Sequence, residues 1–108
     1  MDRISEAGNI MSKVGNDIPQ MFNSFMQFND TVKQSNIIDM KHKELILVAL
    51  ALNSQCEWCI GVHIAGAVEA GATKQEILES CMLCVVMGGG PKLMHMGLVY
   101  EELDKHFK

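Results

Sequence analysis

"ELILVALALNSQCEWCIGVHIAGAVEAGAT", Glu44 to Thr73, decides how this chain folds. After one carboxylate the opening residues are apolar on nearly all sides of a helix, so this helix is expected to be buried. Asp39 stands where an N-cap belongs, and the helix is predicted from about Met40 to Leu52. Ser54 begins "SQCE", a capping-box pattern with Glu57, and starts the next helix, which reaches about Ala70. Gly71 is a natural left-handed stop. Thr73 and Glu76 repeat the capping box for a helix over about Lys74 to Met87. The centre of the chain therefore reads as three consecutive helices with short connections.

Moving outward, the pattern stays helical. Ile4, Ala7, Met11 and Val14 share one face of a first helix. Asp17 is a cap for a second, from about Ile18 to Ser35, with Pro19 tolerated in its first turn. That helix carries Ile18, Met21, Phe22, Phe25, Met26 and Val32 on one side. Such a face is wider than one small core needs, so part of it is expected to meet another subunit. On the far side, "GGGP", Gly88 to Pro91, allows a tight reversal, and Pro91 suits the first turn of a last helix ending near Phe107. The prediction is an all-α fold of about six helices in one domain, residues 1–108. Residues 1–36 form N-terminal helices that oligomerise, and residues 39–107 form the core. No internal repeat or low-complexity linker interrupts it.

Bulk properties exclude several function classes. A chain of 108 residues with 48% hydrophobic content suits one well-filled core rather than a disordered tail. The net charge of −4, with scattered lysines, leaves no electrostatic footprint for nucleic acid. The longest apolar run, Leu45 to Leu52, falls far short of the roughly 20 residues that cross a bilayer. The N-terminus, "MDRISEAGNI", begins acidic and lacks an apolar core and a cleavage site, so no signal peptide is expected. A soluble, cytoplasmic protein is the expectation. Four cysteines in that setting point to reactive or metal-binding thiols rather than structural disulfides. Nine methionines fit core filling and subunit contact, with a methionine-lined substrate pocket as the alternative.

The chemistry gathers at the head of the helix begun by Ser54. With Ser54 as cap, Cys56 is its second residue and Cys59 its fifth, and spacings of three and four put Cys56, Cys59 and His63 on one stripe. Those side chains can react, hold a metal, or merely pack. The helix N-terminus favours thiolate over thiol, most of all at Cys56. His63, one turn beyond Cys59, can accept the Cys59 proton and then stabilise the anion. Sulfurs three residues apart at a helix start can close a disulfide and cycle. Glu44 is the candidate to orient His63. The competing reading makes it a first-turn glutamate that complements its own helix dipole and faces solvent.

"ELILVALALNSQCEWCIGVH" resembles the E-x11-C-x2-C-x3-H signature of the alkylhydroperoxidase D-like proteins, within the carboxymuconolactone decarboxylase superfamily. "EAGATKQEILE" and "VVMGGGP" are similar to that family's continuation, so the resemblance spans about Asp39 to Phe107. It implies an all-helical fold in trimers or hexamers and a peroxidase. Cys59 would attack a hydroperoxide and become a sulfenic acid. Cys56 would resolve it as an intramolecular disulfide, His63 would take the Cys59 proton, and Glu44 would support the relay through water. No metal or flavin is implied, and electrons would come from a dithiol partner, lipoylated or thioredoxin-like. Dipole reasoning alone favours Cys56 as the more acidic thiol. The resemblance assigns first attack to Cys59, where the histidine acts at closer range. One position departs from the better-studied enzymes: Trp58 replaces a histidine directly before the second cysteine.

Other groups have simpler readings. Cys81 and Cys84 form a second C-x2-C, but they sit mid-helix on an apolar face without the turns zinc sites use. They are expected to pack as small hydrophobes, with a four-cysteine metal site and auxiliary redox chemistry as the alternatives. His42, His95 and His106 have no partner pattern, and Lys41, His42 and Lys43 read as a solvated first turn. The decarboxylase branch of the superfamily lacks paired cysteines, so "CEWC" argues against that activity. A non-catalytic redox or interaction subunit on the same scaffold is the third class.

Overall fold

The computed structural model describes residues 2–108, and every regular element among them is helical. The segments are α1 (Arg3–Asp17), α2 (Pro19–Gln34), α3 (Met40–Asn53), α4 (Glu57–Glu69), α5 (Lys74–Gly88), α6 (Gly90–Met94) and α7 (Met96–Leu103). The all-α fold is as expected, and the last predicted helix is divided in two at His95. No helix of the described residues is long and apolar enough to cross a membrane.

Most of the predicted stops and starts are present for the expected reasons. Asp39 Oδ1 accepts from the His42 amide at 2.8 Å and caps α3. Thr73 and Glu76 form the reciprocal box at the head of α5, at 3.1 and 2.9 Å. Gly71 takes φ +95°, and the Ala72 amide reaches back to the Ala67 carbonyl at 2.9 Å to close α4.

Two caps fall elsewhere. Asp17 ends α1 instead of capping α2, whose N-cap, Ile18, offers no side-chain bond. Ser54 belongs to the end of α3, so the expected Ser54–Glu57 box does not form. The chain has only three residues between α3 and α4 in which to reverse. Gln55 spends one in the left-handed region at φ 54°, which moves the start of α4 two residues on. Cys56 is extended and becomes the N-cap, its sulfur accepting from the Cys59 amide at 3.2 Å.

The core lies between α3, α4, α5 and α7. Val48, Leu52, Ile60, Ile64, Ile77, Val99 and Leu103 are fully buried, each contributing about 1.5–3 kcal/mol through burial. Cys81 and Cys84 are free, buried members of this cluster. Burial, and then the neighbouring Cys84, push the Cys81 thiol up to about 12. Both cysteines therefore pack as the sequence suggested. The reading of α3 as buried all round is corrected: Ile46 and Leu50, on its other side, are exposed. α1 and α2 bury no residue completely, and Phe25, Phe28 and Met21 stand open.

α1 is fastened in part through an ion cluster. Arg3 Nη1 and Nη2 meet Glu102 and Glu101 of α7, each at 2.8 Å. Glu102 is fully buried, with Lys105 at 3.0 Å as its second cation. Gly61 of α4 leaves the space that this carboxylate fills, since a Cβ there would lie 3.2 Å from Oε1.

Candidate active site

The shifted start of α4 changes the standing of the two cysteines. Glu57 is the first helical residue, so Cys59 is third rather than fifth and lies within the first turn. Cys56 is outside the helix. The amide field that the sequence seemed to reserve for Cys56 therefore reaches Cys59 as well. Cys56 and Cys59 are joined as a disulfide across a Cα–Cα distance of 5.3 Å. Both are partly buried.

His63 lies one turn beyond Cys59 on α4, and its Nδ1 is 2.9 Å from Glu44 Oε2 of α3. The contact is direct; the bridging water expected from the resemblance is not needed. Glu44 is only 6% exposed, so it does not face solvent as a simple first-turn glutamate would. Burial by itself would raise its carboxyl, but the His63 hydrogen bond, the His63 charge and nearby Lys33 more than offset that and hold it below the usual range. An ionised carboxylate can only accept, so Nδ1 is the donor in this bond, and Nε2 has a free lone pair whenever the ring is neutral. The nitrogen turned away from Glu44 is then the one left to exchange a proton.

Gly66 creates the room for this pairing. A Cβ at that position would lie 2.6 Å from Glu44 Oε2. Glycine inside a helix costs about 1 kcal/mol relative to alanine, which is the sequence signal that could have singled it out. A cleft of ≈ 750 Å³ opens beside Glu44 and Gly66, lined also by Asp39, Lys41 and Glu69. Lys33 of α2 lies 3.7 Å from Glu44 Oε1. Nothing in the sequence pointed to it, because ten residues and a helix boundary separate the two.

The structure thus brings Cys56 and Cys59 together, and Glu44 with His63. Trp58 is committed elsewhere: its indole N–H donates to Glu6 of α1. The nitrogen that replaces the histidine of the better-studied enzymes therefore ties α4 to α1. His42 pairs with its own cap, Asp39, and His95 with Gln55 and the Pro91 carbonyl.

An all-helical core presenting a cysteine pair beside a Glu–His couple defines an alkylhydroperoxidase D-like scaffold. The chain belongs to the carboxymuconolactone decarboxylase family, whose sequence profile matches residues 19–102. It is 31% identical over 105 residues to "uncharacterized protein 4 in cox locus" of Paracoccus denitrificans, covering 97% of this chain and 92% of that one. An uncharacterized protein of Cupriavidus necator is 29% identical over 102 residues, covering 94% and 90%. In three dimensions it is similar to the apo crystal structure of a carboxymuconolactone decarboxylase family protein from Legionella pneumophila. That match has a TM-score of 0.90 and 32% identity, over 98% of this chain and 95% of that one. A family member from Thermotoga maritima, with TM-score 0.79 and 24% identity over 96% and 94%, shares the fold.

Proposed function

We propose that this protein is a thiol-dependent peroxidase of the alkylhydroperoxidase type, acting through Cys59, Cys56, His63 and Glu44. The observation that carries the reading is the cysteine pair at the first turn of α4 with the Glu44–His63 couple one turn further on. His63 Nε2 takes the Cys59 proton, and Glu44 stabilises the imidazolium. The thiolate attacks one oxygen of ROOH, the O–O bond breaks, and the leaving alkoxide takes the proton back as ROH. Cys59 is then a sulfenic acid. Cys56 attacks that sulfur, water leaves, and the disulfide forms. An external dithiol exchanges with the disulfide, is itself oxidised, and returns both thiols. The sum is ROOH plus dithiol giving ROH, water and a disulfide.

The donor is a lipoylated or thioredoxin-like protein, which fits a reducing cytoplasmic setting. The protein works as a homo-oligomer, because the faces of α2 and α3 and the end of α5 at Val86 and Met87 leave large side chains open in a single copy, and the family resemblance makes that assembly a trimer or hexamer. Sedimentation is expected to give an assembly, and a monomer at micromolar concentration would contradict this part. The decisive assay is turnover of hydrogen peroxide and an organic hydroperoxide, in parallel, with a small dithiol as donor. Consumption of both dithiol and peroxide in equal amounts supports the reading. Oxidation of the cysteine pair without turnover would leave a redox-linked, non-enzymatic subunit instead.

A further inference from the structure

We propose that Lys33, at the carboxyl end of α2, is a positioning residue for this thiol relay, its ammonium setting the charge state of the Glu44–His63 couple and hence the pH at which Cys59 becomes reactive. The inference rests on the peroxidase reading and adds to it a residue from outside the cysteine–histidine motif. The two oxygens of Glu44 are divided between two partners: Oε2 takes His63 Nδ1 at 2.9 Å, and Oε1 faces Lys33 Nζ at 3.7 Å.

α2 has no fully buried residue, so something else must hold its end against α3. Lys43 does this. Its Nζ donates to the carbonyls of Lys33 at 2.6 Å and Val32 at 3.4 Å, and to that of Ser35. These are the last carbonyls of a helix, where a cation is most useful. Lys43 directly precedes Glu44, so the turn of α3 that presents the carboxylate also grips the helix end that delivers Lys33.

The other charges nearby have different commitments. Asp39 holds His42 at 2.7 Å, and Lys41 holds Glu76 of α5 at 2.9 Å. Glu69 of α4 lines the same cleft as Glu44 and carries the same sign of charge. Among the described residues Lys33 is thus the one lysine or arginine within ion-pair range of the couple.

The consequence follows from charge. When Cys59 and His63 are both protonated, the cluster of Cys59, His63 and Glu44 must lose one proton before the thiolate–imidazolium pair can form. A fixed positive charge beside that cluster favours the loss, and removing it delays the loss to higher pH. The Lys33 side chain is partly exposed, so water and salt reduce the effect to roughly half a pH unit or somewhat more.

The test is the alkylation rate of Cys59 against pH, followed by mass spectrometry in reduced Cys56→Ser protein, where the pair has a single thiol. Lys33→Met is expected to move the midpoint upward by about half a unit or more, less so in 1 M salt. Lys33→Arg is expected to restore it. Lys43→Met is a second route, expected to move the midpoint in the same direction by releasing the end of α2. Loss of packing alone would lower the melting temperature of Lys33→Met and leave the midpoint in place. His63→Gln in the same background reports separately on the relay. If His63→Gln shifts the profile while Lys33→Met and Lys43→Met superimpose on the parent, the role of Lys33 is overturned and the relay survives. If His63→Gln has no effect, the peroxidase reading itself fails.

Discussion

Replacing Gly66 by alanine adds one methyl group at the point where α4 passes the Glu44 carboxylate. The new Cβ would sit 2.6 Å from Oε2 and 2.8 Å from Cδ, both well inside contact distance. Gly66 lies in the last turn of α4 between the buried Ile64 and Ala67, so the backbone cannot yield without disturbing the core there. Glu44 must swing instead and leave His63. A hydrogen bond to a charged group is worth about 1.5–3 kcal/mol, while alanine returns about 1 kcal/mol of helix propensity. The net loss is about 0.5–2 kcal/mol, a fall in Tm of roughly 3–10 °C for a domain of this size. Thermal unfolding by circular dichroism measures the first effect. The pH profile of Cys59 alkylation measures the second, which should approach that of His63→Gln. In a double-mutant cycle the Gly66→Ala penalty should shrink once His63 is gone, because the bond it breaks is already missing. A Gly66→Ala protein that is more stable than the parent, with an unchanged alkylation profile, would refute the pairing.

Three further outcomes are expected. Cys59→Ser abolishes hydroperoxide reduction, whereas Cys56→Ser leaves a sulfenic acid trapped on Cys59; mass spectrometry finding the oxidised sulfur on Cys56 would reverse the roles. Glu44 is held below the ordinary carboxyl value of about 4.3, so its contribution to stability is complete above that pH and is lost as pH falls through the lower folded value. Chemical unfolding of Glu44→Gln should therefore show a weaker loss of stability between pH 5 and pH 3 than the parent, and parallel curves would contradict the ionised pair. Cys81→Ser places a hydroxyl in the core and should cost about 1–3 kcal/mol in denaturant titration. Its peroxide turnover should match the parent, and a loss of turnover in folded protein would give the second cysteine pair a part in the chemistry.

Most helix ends were readable because their signals are local. Asp39, Thr73 with Glu76, and Gly71 each satisfy backbone groups within a few residues, so the sequence carries the whole interaction. The head of α4 misled because two caps compete there. "SQCE" has the right residues for a box, but the three-residue reversal from α3 uses Ser54 and Gln55, and no side-chain pattern announces the left-handed Gln55. The division at His95 was similarly silent. In the site, Cys56, Cys59 and His63 were visible through their spacing on one helix. Glu44 was ambiguous from its residue type, since a first-turn glutamate has an adequate role facing water. Its direct bond to His63 depends on how α3 crosses α4, which periodicity does not encode. Lys33 depends on still more, namely where α2 ends and what Lys43 grips.

The Arg3–Glu102 contact bears on how the protein is handled. Shortening the chain by a few amino-terminal residues would normally count as cosmetic. Here it strips an interior carboxylate of one of its two counterions, and the damage reaches the middle of the bundle, where Gly61 abuts the same group. Removing one partner from such a pair costs several kcal/mol when nothing replaces it, and Lys105 replaces it only in part. A trimmed variant that aggregates therefore says nothing about the redox chemistry.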